Sequence, residues 1–277
     1  MWNTRVWLAI GFAVGAAATA SAQQFTPVSY PGAILTTVYG INPQGDIVGQ
    51  YESSDGRAHG YMLDASGFQT IDVPGAVLTF AFGINSRGEI AGRYDTSDGR
   101  AHGFLMRRGA FLSVDFPGAI RTVTNGINSE GDVSGQYTSP DGKVHGFVLT
   151  VRGFTTLDPP GAARTVAMAV NPALEAVGPF LSADARTHGF LWSAGGYTVV
   201  DVPGATFTQP NGINPRGDIV GFYMGPDRIV HGFLLSDGAF TNIDIPGLIQ
   251  LRGISASGVI VGSYSDNGVT RGFMLHR

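Results

Sequence analysis

Apolar and polar residues alternate along this chain in short runs, each closed by a turn. Residues 68–107 show one unit: "FQTIDVP", "LTFAFGIN", "EIAGRYD" and "AHGFLMR" follow one another with small polar clusters between them. Period-two alternation over a handful of residues marks a half-buried strand. Past the first two dozen residues nothing sustains a 3.6-residue apolar rhythm, so the pattern predicts strands and almost no helix. The separators are turn chemistry. "NSRG" at 85–88 puts glycine where a tight turn wants positive φ, "TSDGR" at 96–100 is a second turn, and Pro-Gly-Ala breaks the first strand.

The unit recurs. Pro-Gly stands at Pro31, Pro74, Pro117, Pro160, Pro203 and Pro246, each 43 residues after the last. An aromatic precedes each by six positions: Phe25, Phe68, Phe111, Phe154, Tyr197 and Phe240. The "GIN" glycine falls at Gly40, Gly83, Gly126, Gly212 and Gly253, with Ala169 in the fourth unit. His-Gly falls at His59, His102, His145, His188 and His231, and Arg271 takes the sixth place.

Four strands in about 43 residues is the length of a propeller blade. The expected fold is therefore all-β: a six-bladed β-propeller with four strands per blade. The chain opens on a Phe-type strand and closes on a His-Gly-type strand. Phe25–Tyr30 is thus expected to complete the last blade beside Gly272–Leu275, leaving no open sheet edge. A linear β-solenoid is the competing arrangement, but it would not need ends that complement each other.

The core "GINPRGDIVGFY…HGFLL" at 212–235 resembles the bacterial extracellular HAF-type repeat, here with His-Gly-Phe or His-Gly-Tyr as the closing triplet. The resemblance covers about residues 25–277. It implies an exported repeat protein and no particular reaction, so no catalytic residue carries over from it.

Export is also expected from the start of the chain. "MWNTR" is followed by an apolar run and by Ala20-Ser21-Ala22, a small-x-small cleavage pattern. Residues 1–22 are read as a cleaved signal peptide and 23–277 as the propeller. The apolar run is too short for a confident membrane span, and no other comparable run exists. The mature protein is expected to be secreted or periplasmic, without a membrane span and monomeric.

Composition narrows the chemistry. There are no cysteines, which excludes disulfides, thiolate catalysis and cysteine-ligated zinc. Glycine is unusually frequent, at 41 of 277 residues, as many tight turns require. The formal net charge of −4 and the absence of basic runs argue against nucleic acid and anionic membranes as partners.

The recurring polar residues read as scaffold. The five histidines fall on the third strand out from the axis of each blade. Strands lie ~4.8 Å apart, so these imidazoles stand more than ~10 Å from one another and cannot share an ion. The aspartate four residues upstream (Asp55, Asp98, Asp141, Asp184, Asp227) is expected to cap the turn and orient the imidazole. Two further acid sets, Asp46, Glu89, Asp132, Glu175, Asp218 and Asp72, Asp115, Asp158, Asp201, Asp244, could ring a face and hold Ca²⁺. Acids flanking turns more often bond local backbone N–H groups, so no cofactor or metal is expected.

A site needs asymmetry. On the innermost strand, just before "GIN", the units carry Tyr39, Phe82, Asn125, Met168, Asn211 and Arg252. Four places earlier Arg121 and Arg164 interrupt an otherwise apolar series. These eight residues are the candidate ligand-binding mouth, with Arg121, Arg164 and Arg252 poised to receive an anionic group. The fourth unit departs most: Leu174 replaces the turn glycine, and Pro179 enters a strand. No catalytic residues can be named, because no nucleophile elbow, phosphate loop or metalloprotease motif appears.

The function expected is an exported, non-catalytic binding or structural propeller presenting loops to a glycan, a peptide or an envelope component. The alternative is a hydrolase or lyase acting on a polysaccharide or lactone in the central funnel. Perturbed carboxylates in an asymmetric concave mouth would distinguish the second from the first.

Overall fold

The structure is a computed structural model that describes residues 24–194 and 196–277. The expected signal segment at 1–22 lies outside the described residues. The first strands in the chain are β1 (Gln24–Val28), β2 (Leu35–Ile41), β3 (Ile47–Glu52), β4 (Ala58–Asp64) and β5 (Gly67–Ile71). Strands β2 to β5 form one antiparallel sheet in chain order, and the same meander repeats to give six sheets. Each inner strand lies beside the inner strands of the sheets before and after it, so the sheets close into a ring: a six-bladed propeller.

The last blade closes as the ends of the chain predict. Leu248–Ile254, Ile260–Asp266 and Val269–His276 supply three strands, and β1 supplies the fourth. Phe25 lies opposite Leu275 and Val28 opposite Gly272. Tyr30, just beyond β1, crosses into the first blade and stacks on Tyr51 with ring centroids 3.7 Å apart.

Between blades the core is built from one aromatic per unit. Tyr61, Phe104, Phe147, Phe190, Phe233 and Phe273 all sit on the third strand out from the axis and are fully buried. These are the residues after His-Gly, and removing one ring would cost ~3–5 kcal/mol. The ring needs room on the strand beside it. At Gly221 an added Cβ would lie 2.8 Å from Cε1 of Phe233, so the strand must carry glycine there.

A belt of asparagines ties the inner strands together. The Asn42 carboxamide oxygen accepts from the backbone N–H groups of Gln44 and Asp46, which shapes the turn. Its Nδ2 donates to Asp46 Oδ2 at 2.8 Å and to the carbonyl of Asn85, 43 residues on, at 3.4 Å. Asn85, Asn128 and Asn171 repeat the step to the next asparagine, and Asn214 makes it to Ser255. The acids after the "NxxG" turn therefore hold the asparagine amide. Burial acts to raise the Asp218 carboxyl. Hydrogen bonds from Ser236, Asn214 and Arg216 outweigh it and hold the group below the ordinary 3.8.

Candidate ligand-binding channel

The inner strands surround a channel that tapers. Its wide end is a cavity of about 670 Å³, and its narrow end is a space of about 100 Å³ ringed by the Gly-Ile steps of the "GIN" segments. The taper follows from glycine. At Gly83 an added Cβ would lie 3.0 Å from Gly126 Cα in the next blade, so side chains would force the strands apart.

Local backbone geometry aims the candidate residues into this channel. In β2 the pairing with β3 jumps from Val38–Gly49 to Gly40–Val48, leaving Tyr39 unpaired in a β-bulge. The same jump leaves out Phe82, Asn125, Asn211 and Arg252 in their blades. A bulge re-aims the extra side chain away from the sheet faces. These positions vary between units because they face the channel and not the shared core.

The fourth blade achieves the same result by breaking its strand. Val166 N–H donates to the carbonyl of Pro179 at 3.0 Å, but proline has no N–H to return. The inner strand is split into Arg164–Thr165 and Ala169–Val170, and Met168 lies in the gap. Pro179 is therefore not at a sheet edge: it sits in Ala176–Leu181, the second strand, opposite the break. Through this break Pro179, Phe180, Leu181 and Thr187 reach the cavity wall. Leu174 adopts positive φ in the turn where the other units carry glycine.

Seven of the eight candidate mouth residues line the cavity: Tyr39, Phe82, Asn125, Arg164, Met168, Asn211 and Arg252. Arg121 does not. It is exposed at the start of its strand, where partial burial and then the charges of Arg93 and Arg164 push its guanidinium below the ordinary value. The three arginines do not meet as one cluster. Arg252 lies across the ring, its guanidinium 4.9 Å from the centre of the Tyr39 ring. Arg252 is half-buried in the cavity wall, and burial pushes its guanidinium below the ordinary value.

The wall also includes residues that the inner-strand reading missed. Gln50, Arg93 and Gln136 come from the second strands, and Phe80 and Gln209 come from the inner strand two places before the bulge. Comparing units at the second-strand position (Gln50, Arg93, Gln136, Pro179, Phe222) would have flagged it by the same variation. Arg93 is held by Asp95 through two hydrogen bonds, at 2.7 and 2.5 Å, and lies 5.4 Å over the Phe80 ring. Asn125 and Asn211 donate to the carbonyls of Ala167 and Leu251 in the next blades. Gln50 Oε1, Gln136 Oε1 and Arg252 Nε are buried without a hydrogen-bond partner in the protein. Among the described residues the cavity wall contains no carboxylate and no imidazole.

The histidines stand elsewhere, between the outer strands. Each donates through Nδ1–H to the aspartate thirteen residues downstream: His59 to Asp72 at 2.9 Å, His145 to Asp158 at 2.7 Å, His188 to Asp201 at 2.6 Å. The expected orienting group was the aspartate four residues upstream. That residue caps its turn as expected, as Asp55 does by accepting from Arg57 N–H, but it approaches the imidazole only where Asp227 lies 3.2 Å and Asp184 4.0 Å from the Nε2 of its histidine. The reason is strand pairing. The downstream aspartate ends the neighbouring strand and faces the ring, which also stacks on Tyr51 or its counterpart. No three His, Asp or Glu side chains among the described residues converge as a metal site.

Comparison with solved structures returns propellers. TolB from Acinetobacter baumannii superposes with a TM-score of 0.60 at 12% identity, covering 84% of this chain and 64% of that one. The SapL1 lectin in complex with alpha methyl fucoside gives 0.55 at 12% identity, covering 86% and 89%. AofleA from Arthrobotrys oligospora gives 0.54 at 13% identity, covering 92% and 90%. At such identities the likeness is one of fold. No family model matches the chain, and no curated protein matches it.

Proposed function

We propose that this protein is an exported, non-catalytic binding propeller whose wide channel mouth takes a glycan. The observation that carries the reading is the wall itself. It combines aromatic faces (Tyr39, Phe80, Phe82), amides (Gln50, Asn125, Gln136) and arginines in one cavity of about 670 Å³. That size falls within the ~300–1,000 Å³ of small-molecule sites. Sugars present C–H faces to aromatic rings and hydroxyls to amides. One structural neighbour, the SapL1 lectin, is seen with alpha methyl fucoside, which is compatible with this reading although only the fold is shared. The HAF-type repeat and the signal-like first 22 residues support export.

A wall without carboxylate or imidazole lacks the commonest general acids and bases, which favours binding over hydrolysis or elimination. The test is a panel of neutral and acidic oligosaccharides followed by thermal unfolding and by chromatography of the sugars. A ligand at a hundred times its Kd adds ~2.7 kcal/mol to stability, a readable rise in Tm. A flat panel, or cleaved sugar in the chromatogram, overturns the reading.

A further inference from the structure

We propose that the channel is selective for an anionic saccharide, a uronic-acid-bearing chain end, whose carboxylate is received by Arg252. This deepens the glycan reading above and rests on it.

The first argument is charge placement. The protein carries a formal net charge of −4, yet its cavity wall bears Arg93, Arg164 and Arg252 and, among the described residues, no acid. Arg93 already has Asp95. Arg164 and Arg252 make no ion pair among the described residues. Arg164 is exposed and Arg252 half-buried; a guanidinium facing a cavity without an anion is open to the carboxylate of a ligand.

The second argument is what surrounds Arg252. Its Nε is buried and unpartnered, and its guanidinium lies 4.9 Å over the Tyr39 ring. That stacking holds the planar fork in one orientation, the condition for bidentate recognition of a carboxylate.

The third argument is the neutral part of the wall. Gln50, Gln136 and Gln209 bring side-chain amides to the cavity wall. Sugar hydroxyls can donate to and accept from such amides, whereas a bare anion brings no donor. A ligand that presents both hydroxyls and a carboxylate matches the amides and the arginine together.

The experiment titrates the full chain with digalacturonate, with its methyl ester, with a neutral disaccharide, and with inorganic phosphate and sulfate. Calorimetry and thermal shift are the readouts. The ester keeps the sugar and removes the charge, so the comparison needs no variant. We expect digalacturonate to bind at least tenfold more tightly than its ester. Arg252→Gln should abolish that difference. Arg252→Lys should restore only part of it, and Arg152→Gln, which changes net charge equally outside the channel, should not affect it. Equal binding of acid and ester overturns the inference but leaves the glycan reading standing. Phosphate or sulfate binding as tightly as the uronate overturns it in favour of a simple anion site. If no saccharide binds at all, both readings fall.

Discussion

Arg271 Nη1 donates to Ser29 Oγ at 2.9 Å, joining the last strand of the chain to the residue that follows its first. In five blades the equivalent positions are a histidine and an aspartate, as in His59 and Asp72. In the sixth blade both have changed together, and the pair now spans the ring closure. Arg271 also donates through Nε to Asp266 at 2.8 Å.

The closing pair should be exchangeable for the repeat's own. Arg271→His with Ser29→Asp is expected to be less destabilising than the sum of the two single changes. The coupling should fall at ~0.5–1.5 kcal/mol in a double-mutant cycle read by denaturant unfolding. Deleting Gln24–Val28 is a harsher test, because Val269–His276 would become an exposed edge and buried Val28 would leave its site. A lower Tm and self-association on size exclusion are expected; an unchanged monomer with an unchanged Tm would refute the closure.

The asparagine belt should resist small changes. Asn128 is buried, donates to Asp132 and to the Asn171 carbonyl, and accepts from two backbone N–H groups. Asn128→Ala is expected to cost ~2–4 kcal/mol, since it strands a carboxylate and two donors. Asn128→Asp should cost more, because it sets a second carboxylate against Asp132. Asn128→Ser should cost least, since Ser255 already performs the turn role in the sixth blade by accepting from Val259 N–H. Chemical denaturation of the three variants gives the order.

Three turns carry a side chain where the other units carry glycine: Leu174 has φ of 60°, Ala185 of 63° and Arg228 of 61°. A left-handed non-glycine residue costs ~1–2 kcal/mol, while glycine loses more chain entropy on folding. The net gain for Leu174→Gly or Ala185→Gly is therefore ~0.5–1 kcal/mol. For a chain of this size that is ~1–4 °C in Tm. A fall in Tm would show that these turns rely on the side chains themselves.

Stability should respond to pH on two limbs. Hydrogen bonds to Asp244 and then Asp227 raise the His231 imidazole above its ordinary 6.5. A raised folded value means that its contribution is fully present below 6.5 and fades as pH climbs through the folded value. Asp244→Asn should therefore lower Tm at pH 5.5 and have little effect at pH 9. The lowered carboxyls act in the opposite sense. Asp218 and the turn cap Asp98, held down chiefly by Thr96, stabilise above 3.8, and that contribution is lost as pH falls through their folded values. Unfolding melts from pH 2 to 9 should show both limbs.

The repeat alone determined the blade count, the strand order, the closure of the last blade by the first strand and the burial of one aromatic per unit. These depend on hydrogen bonds and packing within one unit and its neighbour, which recur every 43 residues and so are written in spacing. Variation between units also picked out seven of the residues that line the cavity. Only the tertiary structure decided which aspartate holds each histidine, because pairing across Ala58–Asp64 and Gly67–Ile71 brings residues thirteen apart together. It also decided that Arg121 stays outside the cavity, that second strands supply Gln50 and Gln136, and that bulges turn the variable side chains inward. Convergence on an axis sums small offsets from six separate blades, and no local stretch of sequence contains that sum.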